Sequence, residues 1–171
     1  VMDSAERATN GGFMFGLFQS TPFSDPMLGE LVRWRGFWRG SIQLESGSAP
    51  LVLTGTRTGP DPMALAVANE VQARIANWRA AIEAAMFEHY EPYAEALAAG
   101  EEPEASEGFP SIATPAAVWP HVSLQYVAVL PLSGHLTTEL GYTTRWDEEH
   151  TLGVRFKGDR FLELCGSVLA P

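Results

Sequence analysis

Aromatic and β-branched residues dominate positions 28–45, punctuated by Gly36 and Gly40 and preceded by the turn formers Pro22, Asp25 and Pro26. Such a run predicts a hairpin with strands over 31–38 and 41–45. Gly47 and Ser48 then turn the chain into a third strand over 50–56, completing an antiparallel meander. The spacing changes after Asp61, a residue able to cap free backbone N–H groups just before Pro62. Val67, Val71, Ile75, Trp78, Ile82 and Met86 recur every three or four residues, so they form one apolar stripe of a long helix laid against a sheet. Tyr90, Tyr93 and Leu97 prolong the stripe, but Pro92 lacks an N–H and predicts a kink or break.

Beyond Gly100 the stretch 100–115 holds Glu101, Glu102, Glu104 and Glu107 among Pro, Ser and Gly, the composition of an exposed acidic loop. Strand patterns then return over 122–130 and 136–146, where Leu136, Thr138, Leu140, Tyr142, Thr144 and Trp146 alternate onto one face. A last hairpin follows, 152–157 and 160–164, around Gly158 and Asp159. Strands, a long helix and strands again, without alternating βαβ units, predict an α+β fold: an antiparallel or mixed β-sheet with one long helix packed on one face. Residues 1–12 lack periodicity and read as a flexible arm, leaving 13–171 as a single domain.

Composition narrows the chemistry. The 171 residues are 46% hydrophobic and 19% charged, as expected of a packed globule. A net charge of −10 repels phosphate backbones, so nucleic acid is not an expected partner. Cys165 is the only cysteine, which excludes an internal disulfide, a thiolate metal cluster and a CxxC pair and favours a reducing compartment. The apolar stretch 13–18 follows Asp3, Glu6 and Arg7 rather than a basic leader and is too short to span a bilayer. A cytoplasmic location without a membrane anchor is therefore expected.

Two segments concentrate residues with chemical potential. In 146–150, Trp146, Asp147, Glu148, Glu149 and His150 lie between two strands. Asp147, Glu149 and His150 carry oxygen and nitrogen atoms fit for a divalent metal or for acid–base work. Neighbouring side chains in extended chain point to opposite faces, however, so convergence needs a tight turn. A structural turn is the simpler expectation, with Trp146 anchoring a strand end and Asp147 capping. The other segment, Arg33, Trp34, Arg35, Gly36, Phe37, Trp38 and Arg39, is the basic, aromatic exception in an acidic chain. Alternation along one strand puts Arg33, Arg35, Phe37 and Arg39 on one face and Trp34 and Trp38 on the other, and Trp and Arg are typical interface anchors. Glu88, His89, Tyr90 and Glu91 do not have HExxH spacing and read as a surface helix end. No GxSxG, P-loop or GxGxxG occurs, so no catalytic residue, metal ligand or cofactor is assigned.

Met27-Leu28-Gly29-Glu30, the later Trp38-Arg39-Gly40, and the run Trp146-Asp147-Glu148-Glu149-His150-Thr151-Leu152-Gly153-Val154 together resemble small bacterial families of domains of unknown function. In those families a W-D-x-E-H-x-L-G-V/I run leads into the last hairpin. The resemblance implies a shared fold and transfers no catalytic residue. Some comparable domains look like immunity or antitoxin-type binding proteins, which implies a protein-binding or regulatory role. Three functions are thus expected to compete. One is a protein-binding domain whose acidic surface steers a basic partner, with Arg33, Trp34, Arg35, Arg39, Trp146, Asp147, Glu149 and His150 as candidate contacts. The others are a metal-dependent enzyme using Asp147, Glu149 and His150, and a self-associating structural domain.

Overall fold

A computed structural model describes residues 20–100 and 108–171. The expected arm at 1–12 and the glutamates of the expected acidic loop, residues 101–107, lie outside this range. Among the described residues, eight strands form one sheet whose spatial order is the chain order. They are β1 (Phe23–Asp25), β2 (Gly29–Trp34), β3 (Phe37–Leu44), β4 (Gly47–Leu53), β5 (Val122–Leu132), β6 (His135–Thr144), β7 (Thr151–Lys157) and β8 (Arg160–Val168). Every pairing is antiparallel except that of β4 with β5, where Leu51, Val52 and Leu53 face Val127, Ala128 and Val129 in parallel.

Parallel neighbours cannot be joined by a hairpin, so the chain must cross the sheet between them. The crossing is α1 (Pro62–Ala98), 37 residues long, followed by a 3₁₀ segment (Pro115–His121). The α+β class expected from the sequence is thereby corrected. Strand accounts for 43% of the structure against 30% helix, and a single mixed eight-stranded sheet dominates, with one long helix on one face.

The helix starts where its cap predicts. Asp61 Oδ1 accepts from the N–H groups of Met63 and Ala64, both at 2.9 Å. Ala64, Ala68, Val71, Trp78, Ile82 and Met86 are buried against the sheet. Trp78 stacks on Phe156 of β7 with ring centroids 4.5 Å apart, and its indole N–H donates to Gly158 O at the β7–β8 turn. Arg74 pairs with Asp159 in the same turn at 2.7 Å, so helix and last hairpin are joined by stacking, a hydrogen bond and an ion pair. The break expected at Pro92 does not occur. The missing N–H costs one intrahelical bond, and tertiary anchors on either side hold the turn: before the proline Tyr90 OH donates to Pro110 O at 2.9 Å and accepts from Ile112 N, and after it Tyr93 OH donates to Asp147 Oδ2 at 2.9 Å.

The first hairpin differs in register from the sequence expectation. Arg35 and Gly36, with φ of +49° and +90°, form its two-residue turn, and Trp34 pairs with Phe37. Two successive positive φ values define the turn whose twist matches antiparallel strands. Gly40, expected to punctuate, lies inside β3, where the side chain of Leu31 occupies the space a Cβ would need. The reversal therefore comes at residues 35 and 36 rather than between the expected strands 31–38 and 41–45, and the face assignment changes with it. Val32, Trp34, Phe37 and Arg39 share the face away from α1, while Arg33 and the buried Trp38 lie on the helix side.

The face away from α1 holds a buried polar group among Val52, Tyr126, Ala128 and Leu130. Glu139 accepts from Tyr126 OH at 2.8 Å and from Arg155 Nε at 2.7 Å, and Arg155 reaches Glu163 at 2.9 Å. Gly141 and Gly153 make room, since a Cβ on Gly141 would enter the Tyr126 ring and one on Gly153 would meet Val168 and Glu139. Burial, and then Glu139, push the Tyr126 hydroxyl pKa well up, so it remains a donor. Leaving one member of such a pair alone is far more costly than replacing both. Arg155→Met should therefore lose about 3 kcal/mol of stability in urea unfolding, and adding Glu139→Leu should recover most of that loss. Equal destabilisation by the single and double variants would contradict the pairing.

Candidate functional site

The segment 146–150 folds into a corner between β6 and β7. Asp147 N–H donates to Thr144 Oγ1 at 3.1 Å, a local bond that turns the chain immediately after β6. This directs the Asp147 carboxylate inward, where Oδ2 accepts from Tyr93 OH at 2.9 Å and Oδ1 lies 2.8 Å from His150 Nδ1. A carboxylate accepts, so the proton of a neutral His150 sits on Nδ1 and Nε2 remains an acceptor. Trp146 is buried beside it, edge-on to Tyr90, and its indole N–H donates to His89 Nδ1 at 3.1 Å. Glu148 and Glu149 are exposed and make no ion pair or hydrogen bond with a described residue.

Of the expected site residues, the corner thus gathers Trp146, Asp147 and His150 and leaves Glu149 outside. It also recruits His89 and Tyr93 from α1. In the sequence His89 reads as a helix-end surface residue and Tyr93 as an extension of the stripe. The i, i+4 spacing of 89 and 93 was the available signal, since it puts both rings on one helix face, 5.4 Å apart.

A cavity of about 520 Å³ opens beside the corner, bordered by Tyr93, Leu97, Phe109, Arg145, Asp147 and His150. An Asp–His pair can move a proton, but acyl or phosphoryl chemistry also needs a nucleophile within reach. Among the described residues bordering this cavity there is no serine, threonine or cysteine, and the Tyr93 hydroxyl is bound to Asp147. Among the described residues no three His, Cys, Asp or Glu side chains gather into a group able to hold a metal. The corner's bonds lock a turn and tie β6 to α1.

The basic hairpin is built differently. Trp34 stands 54% exposed at its tip, with the Arg35 guanidinium 4.1 Å and the Arg39 guanidinium 5.1 Å from its ring centroid. Arg39 also donates to Pro171 O at 2.7 Å, which fixes the guanidinium. Arg33 stands apart from this stack on the opposite face. Val32 is exposed beside Trp34 and Met27 is exposed in the preceding β1–β2 turn. Beyond Leu31, no described strand pairs with the outer edge of β2.

Comparison with protein families places these features. A domain family described as a domain of unknown function, DUF6985, matches residues 38–168. The chain belongs to the DUF6985 family. That agrees with the resemblance to a domain-of-unknown-function family drawn from the sequence. No curated protein and no solved structure matches the chain. The DUF6985 match begins at Trp38, so the corner and the described residues of the cavity beside it fall within the matched region, whereas the exposed tip Trp34 and Arg35 precedes it. No helix among the described residues is long and apolar enough to cross a membrane.

The corner carries a pH dependence. Burial lowers the His89 pKa, Asp147 draws it back up and His150 lowers it again, with a net shift downward. A neutral His89 also accepts the Trp146 N–H, which protonation at Nδ1 would break. A histidine pKa depressed by folding means that the unfolded chain binds more protons. Its contribution is complete above the ordinary histidine pKa and is lost as pH falls below that value. Melting temperature should therefore drop between pH 7.5 and 5.5 more steeply in the native chain than in His89→Gln, which keeps an acceptor for Trp146. Identical slopes would contradict the half-buried neutral imidazole.

Proposed function

We propose that this domain is a protein-binding module and that its docking anchor is Trp34 at the tip of the β2–β3 hairpin. The observation that carries the reading is the exposure of this indole between two guanidiniums. A large aromatic ring left in water at a turn forgoes several kilocalories of burial that an interface would return, and Trp and Arg dominate the energetic centres of interfaces. Arg35 accepts a positive φ to form the turn, a conformation that disfavours side chains with a Cβ. A rigid two-residue turn presents the tip with little conformational entropy left to lose on binding.

The chemistry of the tip selects the partner. Arg35 and Arg39 favour carboxylates, and Trp34, Val32 and Met27 favour an apolar recess. The partner is accordingly a protein surface that combines acidic side chains with an apolar slot. The net charge of −10 repels such a surface everywhere except at this basic tip, which orients the encounter. This differs from steering of a basic partner by the general acidic surface. A lone cysteine suits action in the reducing cytoplasm.

The test is affinity capture from the native cell with the wild-type chain and with Trp34→Ala and Arg35→Glu, each checked for an unchanged melting temperature. One defined polypeptide should be retained by the wild type. Its affinity, remeasured with purified components, should weaken roughly thirtyfold in Trp34→Ala, the effect of losing an interface centre worth about 2 kcal/mol. A partner held equally by all three chains would place the interface elsewhere.

A further inference from the structure

A second cavity, of about 550 Å³, lies between the middle of α1, the 3₁₀ segment and the β3–β4 turn. Its size is that of a site for a small organic molecule. Leu44, Ile75, Val122 and Leu124 supply an apolar lining, and Trp119 and Tyr142 border it as well.

Two features distinguish this cavity from a packing defect. Trp119 is held from two directions: its indole N–H donates to Glu83, and the Arg79 guanidinium lies 4.8 Å over its ring while Arg79 Nε donates to the same Glu83 at 2.9 Å. The ring is thus a preformed wall. Tyr142 is only 3% exposed, yet its hydroxyl makes no hydrogen bond with any described residue. Tyr142 is among the residues that line the cavity. A buried hydroxyl without a partner is costly, and a ligand atom that accepts from it removes that cost. Burial pushes the Tyr142 pKa well up, so the group is a neutral donor.

Charge defines the occupant further. Arg79 and Glu45 border the cavity with opposite signs, and the net charge of −10 disfavours an anion. A cation would lose its hydration against the apolar lining, while Arg79 is already paired with Glu83 and the exposed Glu45 stays in water at the rim. We infer that this cavity binds an uncharged, mainly apolar, planar small molecule that stacks along Trp119 and presents a hydrogen-bond acceptor, such as a carbonyl, to the Tyr142 hydroxyl. The site is independent of the Trp34 tip.

The probe for this site is prodan, an uncharged naphthyl ketone whose emission reports both the polarity around it and hydrogen bonding to its carbonyl. Titrated into the whole chain, it should bind saturably at one equivalent with blue-shifted emission. Tyr142→Phe removes only the hydroxyl; it should weaken binding roughly tenfold and shift the bound emission further to the blue as the carbonyl loses its donor. Ala76→Trp, at an exposed helix position bordering the cavity, should abolish saturable binding, with neither variant melting below the wild type. Absence of saturable binding overturns the inference, and so does binding that either substitution leaves unchanged.

Discussion

Pairing β4 with β5 in parallel obliges the chain to cross the sheet, and the burial of one stripe of α1 against the sheet is the interaction on which the rest depends. Without it the strands form two antiparallel meanders with nothing to cover the apolar side of either. With it, Trp38, Leu51 and Leu53 from the first meander share one core with Val127, Leu140, Leu152, Val154 and Phe156 from the second. The stacking of Trp78 on Phe156 and the pairing of Arg74 with Asp159 fasten the helix to the far end of the sheet, so the helix bridges nearly its whole width.

The features with functional potential are arranged around that helix. Its C-terminal half supplies His89 and Tyr93, which close the Trp146 to His150 corner, and its middle supplies the wall of the Tyr142 cavity. The hairpin tip lies away from α1, on the opposite face, and there Trp34 is left in water. In the corner, the Asp147 carboxylate and the Trp146 indole find their partners within the chain, and these bonds hold the turn and tie it to α1. At the tip, by contrast, Trp34 is left exposed, and the Tyr142 hydroxyl has no hydrogen-bond partner among the described residues; the two proposed binding roles rest on that difference.

Much of this was legible from spacing. The Asp61 cap, the α1 stripe, the Gly158 and Asp159 turn and the last hairpin follow from local propensity and period, which act within a few residues. The turn at Arg35 was not, because arginine gives no turn signal and Gly40 gave a false one; only the fit of Leu31 against Gly40 places that glycine inside a strand. Continuity of α1 through Pro92 likewise depends on the bond from Tyr90 to Pro110, a contact twenty residues away in sequence. Sheet dominance was underestimated because a single helix of 37 residues stands out in a sequence more than short strands do. For the corner, the run 146–150 named three of its members, but Tyr93 and His89 come from a separate element that only the fold brings near. Glu139 sits in a strand read as alternating, where a polar residue between Thr138 and Leu140 suits a solvated face; its burial depends on Tyr126 and Arg155 from two neighbouring strands.

Native-state hydrogen exchange tests the central claim that α1 welds the two meanders into one cooperative unit. The account predicts that amides of β4, β5 and the 71–86 stretch of α1 exchange slowest and open together, with the same free energy and the same denaturant dependence. Opening of β2 to β4 at a lower free energy than β5 to β8, with α1 protected alongside only one of them, would contradict it.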